Sequence, residues 1–162
     1  EEEGPPAEGP YLVAASKNGQ ILRTTIEGFS EPSIRTGRLV MRLDASDEVL
    51  GVELAAGDEN VCLASRESYV LIFPCHQISL VKGAAKGVRA MRLSSTDHLI
   101  GFTLSSAARD GLVVETNRGR REIVRTTKFE ISNRGNRGRQ IIRRGHLVRV
   151  LREPVEVRLS TR

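Results

Sequence analysis

Laid against itself at an offset near fifty residues, the chain repeats three times, and this period constrains the fold more than any other feature. The first unit opens on LVAASKNGQILRTT at Leu12, the second on VCLASRESYVLIF at Val61, the third on LVVETNRGRREIVRTT at Leu112. Ser16, Ser65 and Thr116 share one offset, followed by Lys17, Arg66 and Asn117; Gly19 and Gly119 share a turn where the second unit has Ser68. Further on, TGRLVMRL (36–43), KGVRAMRL (86–93) and RGRQIIRR (137–144) align on Gly37, Gly87 and Gly138. DEVLGV (47–52) and DHLIGF (97–102) follow with Gly51 and Gly101 in register, and the third unit shortens this to GHLVRV (145–150).

Each unit reads as four short strands, in the first near 12–16, 20–25, 38–43 and 49–54. Short apolar runs rich in Val, Leu and Ile, bounded by turn residues, are strand signals. Asn18-Gly19 predicts a tight two-residue hairpin turn with positive φ. No segment carries a long helical period. The expectation is an all-β chain of three four-stranded, propeller-like blades, one from each repeat at about 11–60, 61–110 and 111–160. Wheels of this kind ordinarily need at least four blades, so the alternatives are a shortened, open or incomplete wheel, a fragment, or a unit completed by another molecule. The acidic, Pro-rich EEEGPPAEGP (1–10) reads as a linker or tail outside a domain over 11–162, and no apolar run is long enough to span a bilayer.

Charge separates the repeats. Residues 11–110 carry 11 Lys+Arg against 11 Asp+Glu, whereas residues 111–162 carry 14 against 5. Such asymmetry points to a polyanionic partner. Its densest part, SNRGNRGRQIIRRG (132–145), holds three glycines and five arginines. Its glycines fall where the other repeats place theirs, and the apolar QII and HLVRV follow, so it reads as an ordered loop rather than a floppy Arg-Gly tail. Aromatics make up only 4% of the chain and Trp is absent, which disfavours base-stacking on single strands and favours duplex backbone. Phe73, Phe102 and Phe129 fall at core-like strand positions. Cys62 and Cys75 are expected as free thiols, with Cys62 in a core. His76, His98 and His146 stand singly, and Asp47 and Asp97 recur as turn residues. No metal set, nucleophilic triad, catalytic residue or cofactor motif can be assembled from these spacings.

LVAASKNGQILRTT, DEVLGV, DENVCLASRESYVLIFP and AAKGVRAMRL, in this order, resemble the C-terminal β-pinwheel domain of the A subunit of bacterial type IIA topoisomerases. The resemblance covers residues 11 to about 110 well and the third repeat more loosely. It implies a non-catalytic domain in the bacterial cytoplasm, at the nucleoid, that binds duplex DNA along a basic outer rim and steers the passed segment. Its partners would be the catalytic core of its own A subunit, together with the ATPase B subunit, with no membrane. The cleavage Tyr of the family lies in another domain, and neither Tyr11 nor Tyr69 has its context. Gyrase A subunits carry a Gln-Arg-Arg-Gly-Gly-Lys-Gly box in one inter-blade loop. SNRGNRGR keeps Arg134, Gly135, Arg137 and Gly138 of that pattern but has Asn133 and Asn136 where Gln and Gly are expected, which is more like topoisomerase IV.

Phosphate contacts need cations on long stems along one surface. The third repeat offers Arg118, Arg120 and Arg121 after its first strand and Arg134, Arg137 and Arg139 in the Gly-rich loop. Lys82, Lys86 and Arg89 occupy the equivalent loop of the second repeat, and Arg35 and Arg38 that of the first. If the repeats form an arc, these loops share one rim along which a bent duplex runs. Arg143 and Arg144, read in a strand, point to opposite faces. Arg23 and Arg125 are candidates for pairing with Glu27 or Glu130, while Arg42 and Arg92 are candidates equally for cross-linking strands and for touching DNA. Alternative readings are a module docking an acidic protein through the same loops, a gyrase A wrapping domain without a full box, and an RNA-binding β-protein.

Overall fold

The computed structural model describes residues 9–151. Twelve strands follow in chain order: β1 (Tyr11–Ser16), β2 (Gln20–Thr25), β3 (Val49–Ala55), β4 (Asn60–Ser65), β5 (Tyr69–Pro74), β6 (Leu80–Val81), β7 (Val88–Arg89), β8 (Leu99–Ser105), β9 (Leu112–Thr116), β10 (Arg121–Val124), β11 (Arg139–Gln140) and β12 (Leu147–Leu151). The only helical pieces among the described residues are two single 3-10 turns, Glu27–Phe29 and Cys75–Gln77.

Three antiparallel cores, β3-β1-β2, β8-β4-β5 and β12-β9-β10, form the blades. The fourth strand of a blade comes from the next repeat. β6 runs parallel to β2 and β7 antiparallel to it, with Ile21 opposite Val88, and β11 pairs with β5, with Val70 opposite Arg139. The sheets therefore hold five, four and three strands rather than four each. Among the described residues, the outer edge of β10 carries no strand. The same rule corrects the expected strand at 38–43. That segment makes one bridge, Met41 to Ala85, and is otherwise irregular, because the described residues hold no earlier blade for it to pair with.

Glycine makes this exchange possible. Gly87 (φ +82) and Gly138 (φ +80) cross so closely over the preceding blade that a Cβ would overlap the carbonyl oxygens of Ile21 and Val70. Gly37 holds the same conformation, φ +74, yet a Cβ there would meet nothing within 4 Å.

The recurring Ser/Thr position closes each hairpin. Ser16 Oγ accepts the Gln20 N–H at 3.1 Å, Ser65 Oγ that of Tyr69 at 3.1 Å, and Thr116 Oγ1 that of Arg120 at 3.1 Å. All three are buried. The turns differ from the expected two-residue form. Gly19 N–H donates to the Ser16 carbonyl at 3.1 Å, and Gly19 has positive φ while Asn18 does not. A wider turn closed by a left-handed residue results, which Gly119 and Ser68 (φ +70) repeat. Asp47 and Asp97 link these hairpins to the strand that follows. Asp47 Oδ1 accepts from Asn18 and Glu48, and Asp97 Oδ1 from Glu67 and His98, at 2.8 to 2.9 Å.

Burial lies between the blades. Val13, Ala15, Ile21, Leu63, Leu71, Phe73 and Phe102 fill the space between the first and second, and Cys62, Ala64, Val70, Ile72, Val114 and Leu147 that between the second and third. Phe129 is buried in the second of these clusters. Both thiols are free and buried; burial above all pushes Cys62 up to about 12 and Cys75 up to about 11. Such groups are inert as nucleophiles.

Gly138→Ala is expected to lower stability by about 3 kcal/mol or more, because backbone must move on top of left-handed strain. Gly37→Ala, with equal strain and open space, is expected to cost only about 1 kcal/mol. Urea unfolding of both variants checks the contrast.

Candidate nucleic-acid interface

The loops that carry the predicted cations are laced to one another, blade by blade. Arg42 N–H donates to the Ala85 carbonyl at 2.9 Å, and Arg92 N–H to the Asn136 carbonyl at 3.0 Å, so equivalent arginines make equivalent seams. Gly135 N–H adds a bond of 2.8 Å to the Ala90 carbonyl. The loop of the first repeat thus abuts that of the second, and the second that of the third. Arg42 and Arg92 bridge loops through their backbone rather than strands through their side chains, and both side chains are exposed.

The side chains differ in availability. Lys82, Arg89, Arg137 and Arg139 are exposed and have no acidic partner within 4 Å among the described residues. The guanidinium of Arg137 lies 4.4 Å from the Tyr69 ring centroid and that of Arg139 5.6 Å from Phe129. Stacking fixes the plane of a guanidinium while leaving its edge donors open to an anion. Arg92, Arg137 and Arg139 line a cleft of about 480 Å³ whose floor includes Val70 and Phe129. Glu67 stands near this group. Hydrogen bonds from Thr96 at 2.6 Å and Ser94 at 3.0 Å hold its carboxyl below the ordinary range, with the Arg137 and Arg66 charges adding to the effect.

Other predicted cations are engaged. Lys86 pairs with Asp44 at 3.6 Å, and Arg38 donates to the Gly28 carbonyl. Arg35 is exposed on the same irregular loop. Arg134 is half-buried, its Nε donating to the Gln77 carbonyl at 2.9 Å and its Nη1 to the Arg89 carbonyl at 2.7 Å.

The cluster at Arg118, Arg120 and Arg121 belongs to the third hairpin and is largely matched by acids. Arg120 pairs with Glu122 at 3.6 Å and Arg121 with Glu115 at 3.4 Å, whereas Arg118 has no acidic partner among the described residues. Glu115 also binds Arg149 at 2.9 Å, and Glu122 binds Lys128 at 2.8 Å. Arg143 and Arg144 lie in a bend ahead of Gly145 (φ +110), not in a strand, and both are exposed. Arg23 lies over the Tyr11 ring at 5.0 Å instead of pairing with Glu27. Arg125 has no acidic partner within 4 Å among the described residues, so the expected pair with Glu130 is not formed.

Arg92 was legible through its shared offset with Arg42, whereas one contributor to the loop geometry escaped the sequence reading. Gln77 had no signal, since its partners lie 56 and 57 residues away.

Exchanged strands and three stacked blades define a β-pinwheel domain. The chain belongs to the family described as DNA gyrase C-terminal domain, beta-propeller, whose model matches residues 10–56 and 59–106. This is the non-catalytic C-terminal part of type IIA topoisomerase A subunits. The DNA gyrase A subunit of Staphylococcus aureus strain MRSA252 is 26% identical over 133 residues, which is 82% of this chain and 15% of that protein. Its counterpart from strain NCTC 8325 matches to the same extent. The crystal structure of the C-terminal domain of DNA topoisomerase IV superposes with a TM-score of 0.77 at 24% identity, over 88% of this chain and 46% of that one. The DNA gyrase A C-terminal domain gives 0.73 at 21% identity, over 91% and 50%. The chain thus spans about half the length of these solved domains and a small part of the curated gyrase proteins.

The Glu115 pairs carry a pH signature. The hydrogen bond from Arg149 above all holds its carboxyl below the ordinary 4.5. A carboxyl lowered on folding stabilises the fold above its unfolded value, and that contribution is lost as pH falls through the folded one. Thermal midpoints are therefore expected to fall between about pH 5 and pH 3, and Glu115→Gln to make that fall shallower.

Proposed function

We propose that this chain is the DNA-binding domain of a topoisomerase IV-like A subunit, taking 11–162 as one unit that holds and bends duplex DNA along the laced rim. The observation that carries the reading is the line of exposed cations without acidic partners, Lys82, Arg89, Arg92, Arg137 and Arg139, on loops hydrogen-bonded to one another. A duplex following a curved rim gains contacts that offset its bending energy. Loop cations read phosphates rather than base edges, so sequence preference is low. In the full enzyme the domain would steer segments toward the catalytic core of its own subunit, beside the ATPase B subunit, in the bacterial cytoplasm at the nucleoid. The departures of SNRGNRGR from the gyrase box support topoisomerase IV over gyrase.

Anisotropy of a labelled ~40 bp duplex across a salt series tests this. Counterion release predicts a log–log slope steeper than about −3, flattening by about 0.9 for each of Arg137→Ala and Arg139→Ala. Absence of binding at low salt would sink the reading and turn attention to an acidic protein partner. Preference for single-stranded RNA in competition would do the same in favour of RNA.

A further inference from the structure

The basic loop of the third repeat is held by a device that the other loops among the described residues lack. Gln77 ends the 3-10 turn after β5, and that turn is anchored by buried Cys75 and Ile78. Its side-chain amide grips the loop on two sides. Oε1 accepts the Arg134 N–H at 2.7 Å, and Nε2 donates to Asn133 Oδ1 at 3.1 Å. Arg134 then reaches back, with Nε on the Gln77 carbonyl and Nη1 on the Arg89 carbonyl. In the alignment on the loop glycines, Gly83 and Ser33 stand where the third repeat has Arg134. In the alignment on the hairpins, Gly28 stands where the second has Gln77. Among the described residues, the clamp therefore exists only at the junction of the second and third repeats.

We propose that Gln77 and Arg134 form a positioning clamp that presents Arg137 and Arg139 to DNA phosphates, with Arg134 acting as a brace rather than a phosphate ligand. The inference rests on the DNA-binding reading above and adds to it a division of labour among the arginines. Two donors of Arg134 are committed to carbonyls, and Arg134 is half-buried while Arg137 and Arg139 are exposed. A loop ordered before binding loses less conformational freedom when it binds, so the clamp acts on affinity without itself neutralising a phosphate.

The test uses the duplex titration on this chain. Gln77→Ala is expected to weaken binding about 5- to 20-fold through lost preorganisation, while the salt slope stays as in the parent because no cation has been removed. Arg134→Lys, which keeps the charge but not the paired donors, is expected to weaken binding similarly at unchanged slope. The double variant is expected to be no worse than either single one, since both break one clamp. Parent-like affinity of either single variant overturns the clamp, as do additive effects or a slope lowered to that of Arg137→Ala. Failure of the parent chain to bind at all is a distinct result, which removes the DNA reading itself.

Discussion

The fold depends on one close contact, made twice: the backbone of a glycine lying against a carbonyl of the preceding blade. At Gly87 and Gly138 a methyl group would overlap the Ile21 and Val70 oxygens, and left-handed φ lets the chain turn there into the borrowed strand. From this crossing follow the pairing of β7 with β2 and of β11 with β5, and the loop seams made by Arg42 and Arg92. The loops that carry the cations adjoin one another because the strands next to them are bound to a neighbour.

Much of this was legible in the chain because repetition converts packing demands into matched letters. The hydroxyl that closes each hairpin appears as Ser16, Ser65 and Thr116, and the carboxylate that ties hairpin to strand as Asp47 and Asp97. The strand expected at 38–43 was misread for a physical reason. Its apolar letters match those of the later repeats, but a strand exists only where an edge accepts it. Asn18-Gly19 was read as a tight turn because the dipeptide favours one, yet the same hairpin geometry forms around Ser68, so the turn is set by the buried hydroxyl and the strand register.

The site was less legible, since composition counts charges and not their engagements. The third repeat has the largest excess of Lys and Arg, but Arg120, Arg121, Arg149 and Lys128 face Glu115 and Glu122, and Arg134 serves two carbonyls. Fewer cations on the laced loops are left without such engagements, and Arg137 and Arg139 among them are held against Tyr69 and Phe129. Stacked side chains of this kind lose less freedom on meeting a phosphate than lysines on open stems.

The exchange of strands also sets how such an array gains or loses a blade. The second sheet draws β4, β5 and β8 from one repeat and β11 from the next. Cutting out that sheet as an object would take pieces from two repeats and sever β6 and β7, which lie between its strands in the chain but belong to the first sheet. Cutting out one period of about fifty residues, wherever its frame begins, leaves a whole blade assembled from former neighbours. The heritable module of this architecture is thus a length of chain, and the visible blade is only where two such lengths overlap.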